Sequence, residues 1–190
     1  MAEFRKAMFP VADFCNHFWP ATMTIPRELL PIINKPLIQY ATEEAINAGI
    51  DIPIFVTGWN KTAIKDHFDS NNELVTLLHT EGNDSQANLV LNIIPTGVEC
   101  IFVGEAEQLG LGHEILYAER TVGSDPFAVL LADDFPTDYQ AGVTADLVRA
   151  FSISGKSQLS VMEVDGANTS KYGVVILNDV GASIEVSSCK

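Results

Sequence analysis

Cysteine and positive charge are both scarce in this chain. Its three cysteines, Cys15, Cys100 and Cys189, are scattered along 190 residues. Odd in number and without metal-ligand spacing, they read as buried or reduced thiols. Lysine and arginine total 11 against 25 aspartates and glutamates, a net charge of −14. That balance argues against nonspecific binding to nucleic acid or to an anionic membrane surface. It also means that a bound polyphosphate needs a local positive patch or a metal ion. No apolar run is long enough to span a bilayer, and residues 1–6 lack the apolar core of a signal peptide. The Asn-x-Ser/Thr matches at Asn60, Asn83 and Asn168 then read as chance. A cytoplasmic location is expected. There is no repeat, no low-complexity tract and no linker.

What is present is a globular composition, 47% hydrophobic and 19% charged, in a chain long enough for one domain with a real core. Apolar runs alternate with helical patterns, which predicts an α/β domain with a largely parallel sheet. Strands are expected at 7–11, 52–57, 100–103, 127–131, 158–164 and 173–177. One helix has clear punctuation. Asn34 is its N-cap candidate, Pro36 lies in its first turn and Gly49 stops it. Further helices are expected at 61–68, 73–79, 112–122 (closed by Gly123) and 145–154 (closed by Gly155). Residues 80–88 are polar and loop-like. Residues 180–186 read as one more strand, left unpaired near the last residue. An edge of that kind calls for a partner or for further polypeptide.

Four segments carry chemistry. The first follows the opening strand and contains Ala12-Asp13-Phe14-Cys15-Asn16-His17, then Pro20-Ala21-Thr22, Ile25-Pro26-Arg27-Glu28 and Leu30-Pro31. A loop at that place lies at the carboxyl end of a sheet, where α/β proteins bind ligands. The second is Glu105-Ala106-Glu107-Gln108-Leu109-Gly110-Leu111-Gly112-His113. The third is an apolar strand running into Asp133-Asp134, either a plain turn or a place for a hard cation that wants oxygen ligands. The fourth is Lys171-Tyr172-Gly173-Val174-Val175.

Taken in order, these segments resemble the signature stretches of the bacterial UTP–glucose-1-phosphate uridylyltransferases. The resemblance runs from about residue 6 to residue 175 and includes Asn34-Lys35-Pro36-Leu37-Ile38-Gln39-Tyr40 and His67-Phe68-Asp69. It implies a Rossmann-like, mostly parallel mixed sheet flanked by helices, of the sugar-nucleotide transferase type, as a single domain over 1–190. It implies transfer of a uridylyl group from UTP to glucose 1-phosphate with Mg²⁺, releasing pyrophosphate. The residue roles it implies are Arg27 facing the triphosphate, Ala12, Asp13 and His17 around the nucleotide, and Glu105 and Gly110 at the base. Tyr172 and Gly173 would meet the sugar, and Asp133 would hold the metal. His113 reads as a helix cap or packing residue.

The chain departs from the family pattern in its first loop. Asp13 and Cys15 stand at the two glycine positions of Gly-x-Gly-Thr-Arg, with Asn16 for Thr and His17 for Arg. Met23 and Arg27 stand where the family carries lysines. Two cations are lost and an anion is gained, and one close charge pair is worth about 4 kcal/mol at an effective dielectric of 20. A weakened phosphate cradle follows. Glu105 stands where the family carries a base-reading Gln, and a carboxylate only accepts hydrogen bonds. The family's later Val-Glu-Lys-Pro motif and second metal-binding Asp have no counterpart here. Two alternatives therefore stay open beside the enzyme: an impaired paralogue that regulates or associates with an active homologue, as some family members do, and a transferase for another nucleotide. Self-association is expected from the uncovered edge.

Overall fold

The computed structural model describes residues 4–12, 20–58, 61–69, 71–134, 142–166, 173–180 and 183–189. These divide into two compact units, Met1–Gln158 and Leu159–Lys190.

The first unit is built on a sheet of four parallel strands: β1 (Lys6–Val11), β4 (Ile52–Gly58), β5 (Ile101–Glu105) and β6 (Phe127–Val129), in the order β5-β4-β1-β6. Lys6 pairs with both Ile52 and Phe127, and Ile54 pairs with Ile101. Parallel neighbours need crossovers, and helices supply them. Between β1 and β4 lie the short hairpin β2 (Pro31–Ile32) and β3 (Lys35–Pro36), then α1 (Leu37–Asn47). Between β4 and β5 run α2 (Thr62–Phe68), α3 (Asn72–Thr80) and α4 (Asp84–Leu91). α5 (Leu111–Tyr117) and α6 (Glu119–Val122) precede β6, and α7 (Val143–Ser154) follows it.

From Ala7 to Val11 the inner strand β1 is apolar, because both its faces are covered. Side chains alternate across it. Ala7, Phe9 and Val11 join Phe55, Ile38 and Ala45 of α1 and Ile64 of α2 in one core layer. Met8 joins Ile54, Val56, Ala118 and Val122 on the opposite face, under α5 and α6. Phe55 is the hub of the first layer: its ring lies 5.0 Å from Phe9, 4.8 Å from Phe68 and 5.2 Å from Phe102, stacked on each. Cys100, at the foot of β5, is a free thiol whose pKa is pushed up to about 11 by burial.

The expected strands at 7–11, 52–57 and 100–103 are present with ends moved by a residue or two, and the one at 127–131 is cut to Phe127–Val129. Four expectations need correction. Asn34 does not cap α1; it sits with Ile33 in the turn of the β2–β3 hairpin, and Pro36 takes the N-cap place. Ile33 is held there at φ +64°, which a β-branched residue rarely adopts. The polar stretch 80–88 holds the start of a helix, α4, which begins after Gly82 at φ +75° and buries Ala87. Residues 158–164 form no strand: Leu159, Val161 and Met162 are exposed and no ladder reaches them. The expected unpaired terminal strand is one arm of an antiparallel hairpin in the second unit, β7 (Val175–Val180) with β8 (Ser183–Cys189), bulged between Ile176 and Leu177. No helix among the described residues is long and apolar enough to cross a membrane.

A pH response is built into the packing of α2 on α1. His67 Nε2 lies 3.1 Å from Gln39 Oε1, with the ring edge-on to Phe68. Burial holds its pKa below the ordinary histidine value of 6.5. The folded state thus binds a proton less readily than the unfolded chain. Stability from this site is full above the unfolded value and falls as pH drops through it towards the folded one. The midpoint of thermal unfolding should therefore fall between about pH 7.5 and 5.5. The His67→Gln variant should lose part of that fall; an unchanged pH response in the variant would refute the assignment.

Candidate functional site

The carboxyl ends of β1, β4, β5 and β6 gather the charged side chains. β1 leads into Ala12, which is fully buried. Its N–H donates to Glu114 Oε2 at 3.3 Å, and its carbonyl accepts from Gln108 Nε2. The end of β1 is thus tied to the β5–α5 connection. The chain is next described from Pro20. Pro26, at φ −52°, opens a 3₁₀ turn over Arg27–Leu29, closed by the Leu29 N–H on the Pro26 carbonyl at 2.9 Å. This turn aims Arg27 across the sheet ends.

Asp133 approaches from the other side. The Leu130 N–H still bonds the Met8 carbonyl at 3.0 Å, so the β6 direction is kept past its last residue. A turn then closes through the Asp134 N–H on the Leu131 carbonyl and presents Asp133 half exposed. Arg27 Nη1 meets Asp133 Oδ2 at 3.1 Å. Two residues far apart in sequence are thereby joined in one ion pair at the strand ends. Behind them Glu28, only 2% exposed, receives Lys61 Nζ at 3.1 Å on each oxygen and lies 3.4 Å from Arg27 Nε.

Glu105 ends β5, also 2% exposed. Its Oε1 pairs with His113 Nδ1 at 2.8 Å, while Oε2 has no hydrogen-bond partner among the described residues. His113 also packs edge-on against Tyr117, 5.0 Å between rings, so packing and orientation occupy it. Gly110 stands at the N-cap of α5 with φ +96°, and its carbonyl accepts the N–H groups of His113 and Glu114. A side chain at that φ would be strained. Gly173 lies in the second unit, exposed, two residues before β7. Asp13, His17 and Tyr172 lie outside the described residues.

Sequence reasoning did not single out Lys61, Glu114 or Gln108 for this region, and it used Glu28 only as part of a motif frame. Their partners lie 33, 102 and 96 residues away, so no local pattern announces them.

A parallel sheet whose carboxyl ends collect charged and backbone groups around the first loop is the usual layout of nucleotide-binding α/β proteins. Residues 15–188 match the model of the nucleotidyl transferase family, and the chain belongs to that family. It is 42% identical over 189 residues to a UTP–glucose-1-phosphate uridylyltransferase 2 of Staphylococcus saprophyticus, covering 98% of this chain and 64% of the relative. It is 40% identical over 180 residues to a UTP–glucose-1-phosphate uridylyltransferase of Pseudomonas aeruginosa, covering 93% of this chain and 63% of the relative. The chain thus spans less than two thirds of the length of these curated relatives. Among solved structures, a UTP-bound UDP-glucose pyrophosphorylase of Acinetobacter baumannii superposes with a TM-score of 0.92 at 31% identity, covering 99% of this chain and 67% of that one. The fold is the α/β, Rossmann-like one expected.

Proposed function

We propose that this chain carries the nucleotide-binding part of a UTP–glucose-1-phosphate uridylyltransferase, whose reaction joins glucose 1-phosphate and UTP into UDP-glucose and pyrophosphate. The observation that carries the reading is the Arg27–Asp133 pair, which joins the loop after β1 to the end of β6. The names of the relatives point the same way.

In that reaction a phosphate oxygen of the sugar phosphate attacks the α-phosphorus in line and pyrophosphate leaves, with no protein nucleophile. The protein contributes position and charge. Arg27 would meet the triphosphate. Ala12, Asp13 and His17 would border the nucleotide, Glu105 and Gly110 the base, and Tyr172 and Gly173 the sugar. Asp133 would hold Mg²⁺. The half-exposed carboxylate that Asp133 brings to the strand ends suits that ion. Mg²⁺ is commonly bound by one or two carboxylates together with water and substrate phosphates. Bound there, the ion would neutralise charge on the phosphate oxygens.

A second reading, a regulatory paralogue, draws on Asp13 and His17 at phosphate-facing positions. A third, another nucleotide, draws on Glu105, whose carboxylate only accepts hydrogen bonds where the family's Gln also donates. A cytoplasmic protein acting as a homo-oligomer or bound to an active homologue fits each of them. The test is titration calorimetry with each nucleoside triphosphate and Mg²⁺, followed by a coupled pyrophosphate-release assay with glucose 1-phosphate. UTP binding that weakens at least tenfold in Asp133→Asn is the expected result, about 1.4 kcal/mol. No binding of any triphosphate would overturn the proposal. Binding without turnover, with a stable complex on an active homologue, would select the second reading.

A further inference from the structure

Lys61 and Glu28 form a buried ion pair that packing alone does not demand. Lys61 is 6% exposed and Glu28 is 2% exposed. Taking two charges out of water costs more than a well-shaped apolar pair would, so stability gives little reason to keep them. Their placement gives another. Lys61 is fixed by backbone bonds at the turn after β4, its N–H on the Gly58 carbonyl at 3.1 Å and its carbonyl taking the Ile64 N–H at 3.2 Å. From that anchor its ammonium reaches both oxygens of Glu28. Glu28 sits in the same 3₁₀ turn as Arg27 and lies 3.4 Å from its Nε. The other end of the Arg27 guanidinium is on Asp133. The four charges alternate in sign along a chain of contacts from the turn after β4 to the turn after β6.

We infer that the buried Lys61–Glu28 pair is the positioning device for Arg27, directing its guanidinium outwards to a ligand phosphate. The inference rests on the uridylyltransferase reading for the identity of the ligand, but not for the geometry. Two consequences separate it from simple scaffolding. Lys61 cancels the charge of Glu28, so that Glu28 orients Arg27 at Nε without drawing the guanidinium off its outward face. A guanidinium held by Glu28 at Nε and by Asp133 at Nη1 is also fixed in one plane, so that a phosphate arriving beside Asp133 meets a preset orientation.

The test combines a ligand-free and a ligand-dependent readout on the full chain. The first is the Nε–H resonance of Arg27 in protein labelled with ¹⁵N-arginine, assigned by its loss in Arg27→Gln. It should be sharp in the wild type and broadened or shifted in Glu28→Gln/Lys61→Met, which replaces the pair by near-isosteric neutral groups. Glu28→Asp keeps both charges but withdraws the carboxylate by one methylene; it should show the same loss of order, and it serves if the double variant fails to fold. The second readout is UTP affinity by calorimetry. The double variant should bind about tenfold more weakly, and adding Arg27→Gln should cost almost nothing more, because groups acting as a unit are not additive. An unperturbed Arg27 resonance in both Glu28 variants would overturn the inference whether or not UTP binds. So would independent, multiplying losses of affinity. A wild-type chain that binds no UTP but shows the expected Arg27 signals would overturn the functional reading and leave the positioning role standing.

Discussion

Phe55→Ala is expected to remove about 3–5 kcal/mol of stability, the usual cost of emptying a fully buried aromatic site. Phe55 has no exposed surface and its ring stacks on three others, Phe9, Phe68 and Phe102. Those neighbours come from β1, the last turn of α2 and β5, so the cavity would open between three elements. Such a site cannot collapse by moving one element alone. Denaturant unfolding followed by far-ultraviolet circular dichroism measures the effect, read from the midpoint at unchanged slope. Leu116→Ala is the control: this side chain is 64% exposed, and surface changes usually stay within about 0.5 kcal/mol. A loss under about 1 kcal/mol at Phe55 would show that the aromatic layer is not the structural centre of the sheet. The same layer matters for the site, because β4 sets where the turn bearing Lys61 begins and β1 leads into the buried Ala12.

The sheet was legible because its strands are apolar on both faces. Ala7, Met8, Phe9 and Val11 need no alternation to be recognised, and β4 repeats the pattern with Ile54, Phe55 and Val56. The helix stops were legible for a local reason too, since Gly49, Gly123 and Gly155 all take positive φ. The failures share the opposite property. Residues 158–164 carry the side chains of a strand, yet a strand exists only if a neighbour supplies a ladder, and propensity says nothing of neighbours. The helix α4 hides behind Asp84, Ser85, Gln86 and Asn88, and it is held against α3 by packing that no window of sequence displays. Asn34 is a good cap residue and a good turn residue, and the pairing of Ile32 with Lys35 decided for the turn. In the site, Asp133 was readable as a carboxylate after a strand, and Arg27 from the family resemblance of its segment. Their contact and the Lys61–Glu28 pair behind it are long-range facts, 33 residues apart in the second case.

Asp13→Gly combined with His17→Arg is expected to strengthen UTP binding by about ten- to a hundredfold, the equivalent of about 1.4–2.7 kcal/mol. The reasoning is a charge count. Between Ala12 and the Arg27 turn the sequence offers one anion, Asp13, and no lysine or arginine, in a chain already at net −14. Arg27 itself is paired to Glu28 and Asp133, so its charge is partly neutralised before a ligand arrives. Removing Asp13 deletes a repulsion. The second substitution adds a permanent cation where His17 is mostly neutral near pH 7 at the ordinary histidine pKa. The full Coulomb gain of about 4 kcal/mol per close pair is not expected, because solvent and salt screen charges that meet in water. That screening supplies the check. Calorimetry at about 50 and 500 mM salt should show the advantage of the variant shrinking as the Debye length falls. An affinity equal to the wild type at low salt would mean that the loop's charges do not govern triphosphate binding. A gain that persists undiminished at high salt would point instead to the backbone freedom conferred by glycine, a geometric cause rather than an electrostatic one.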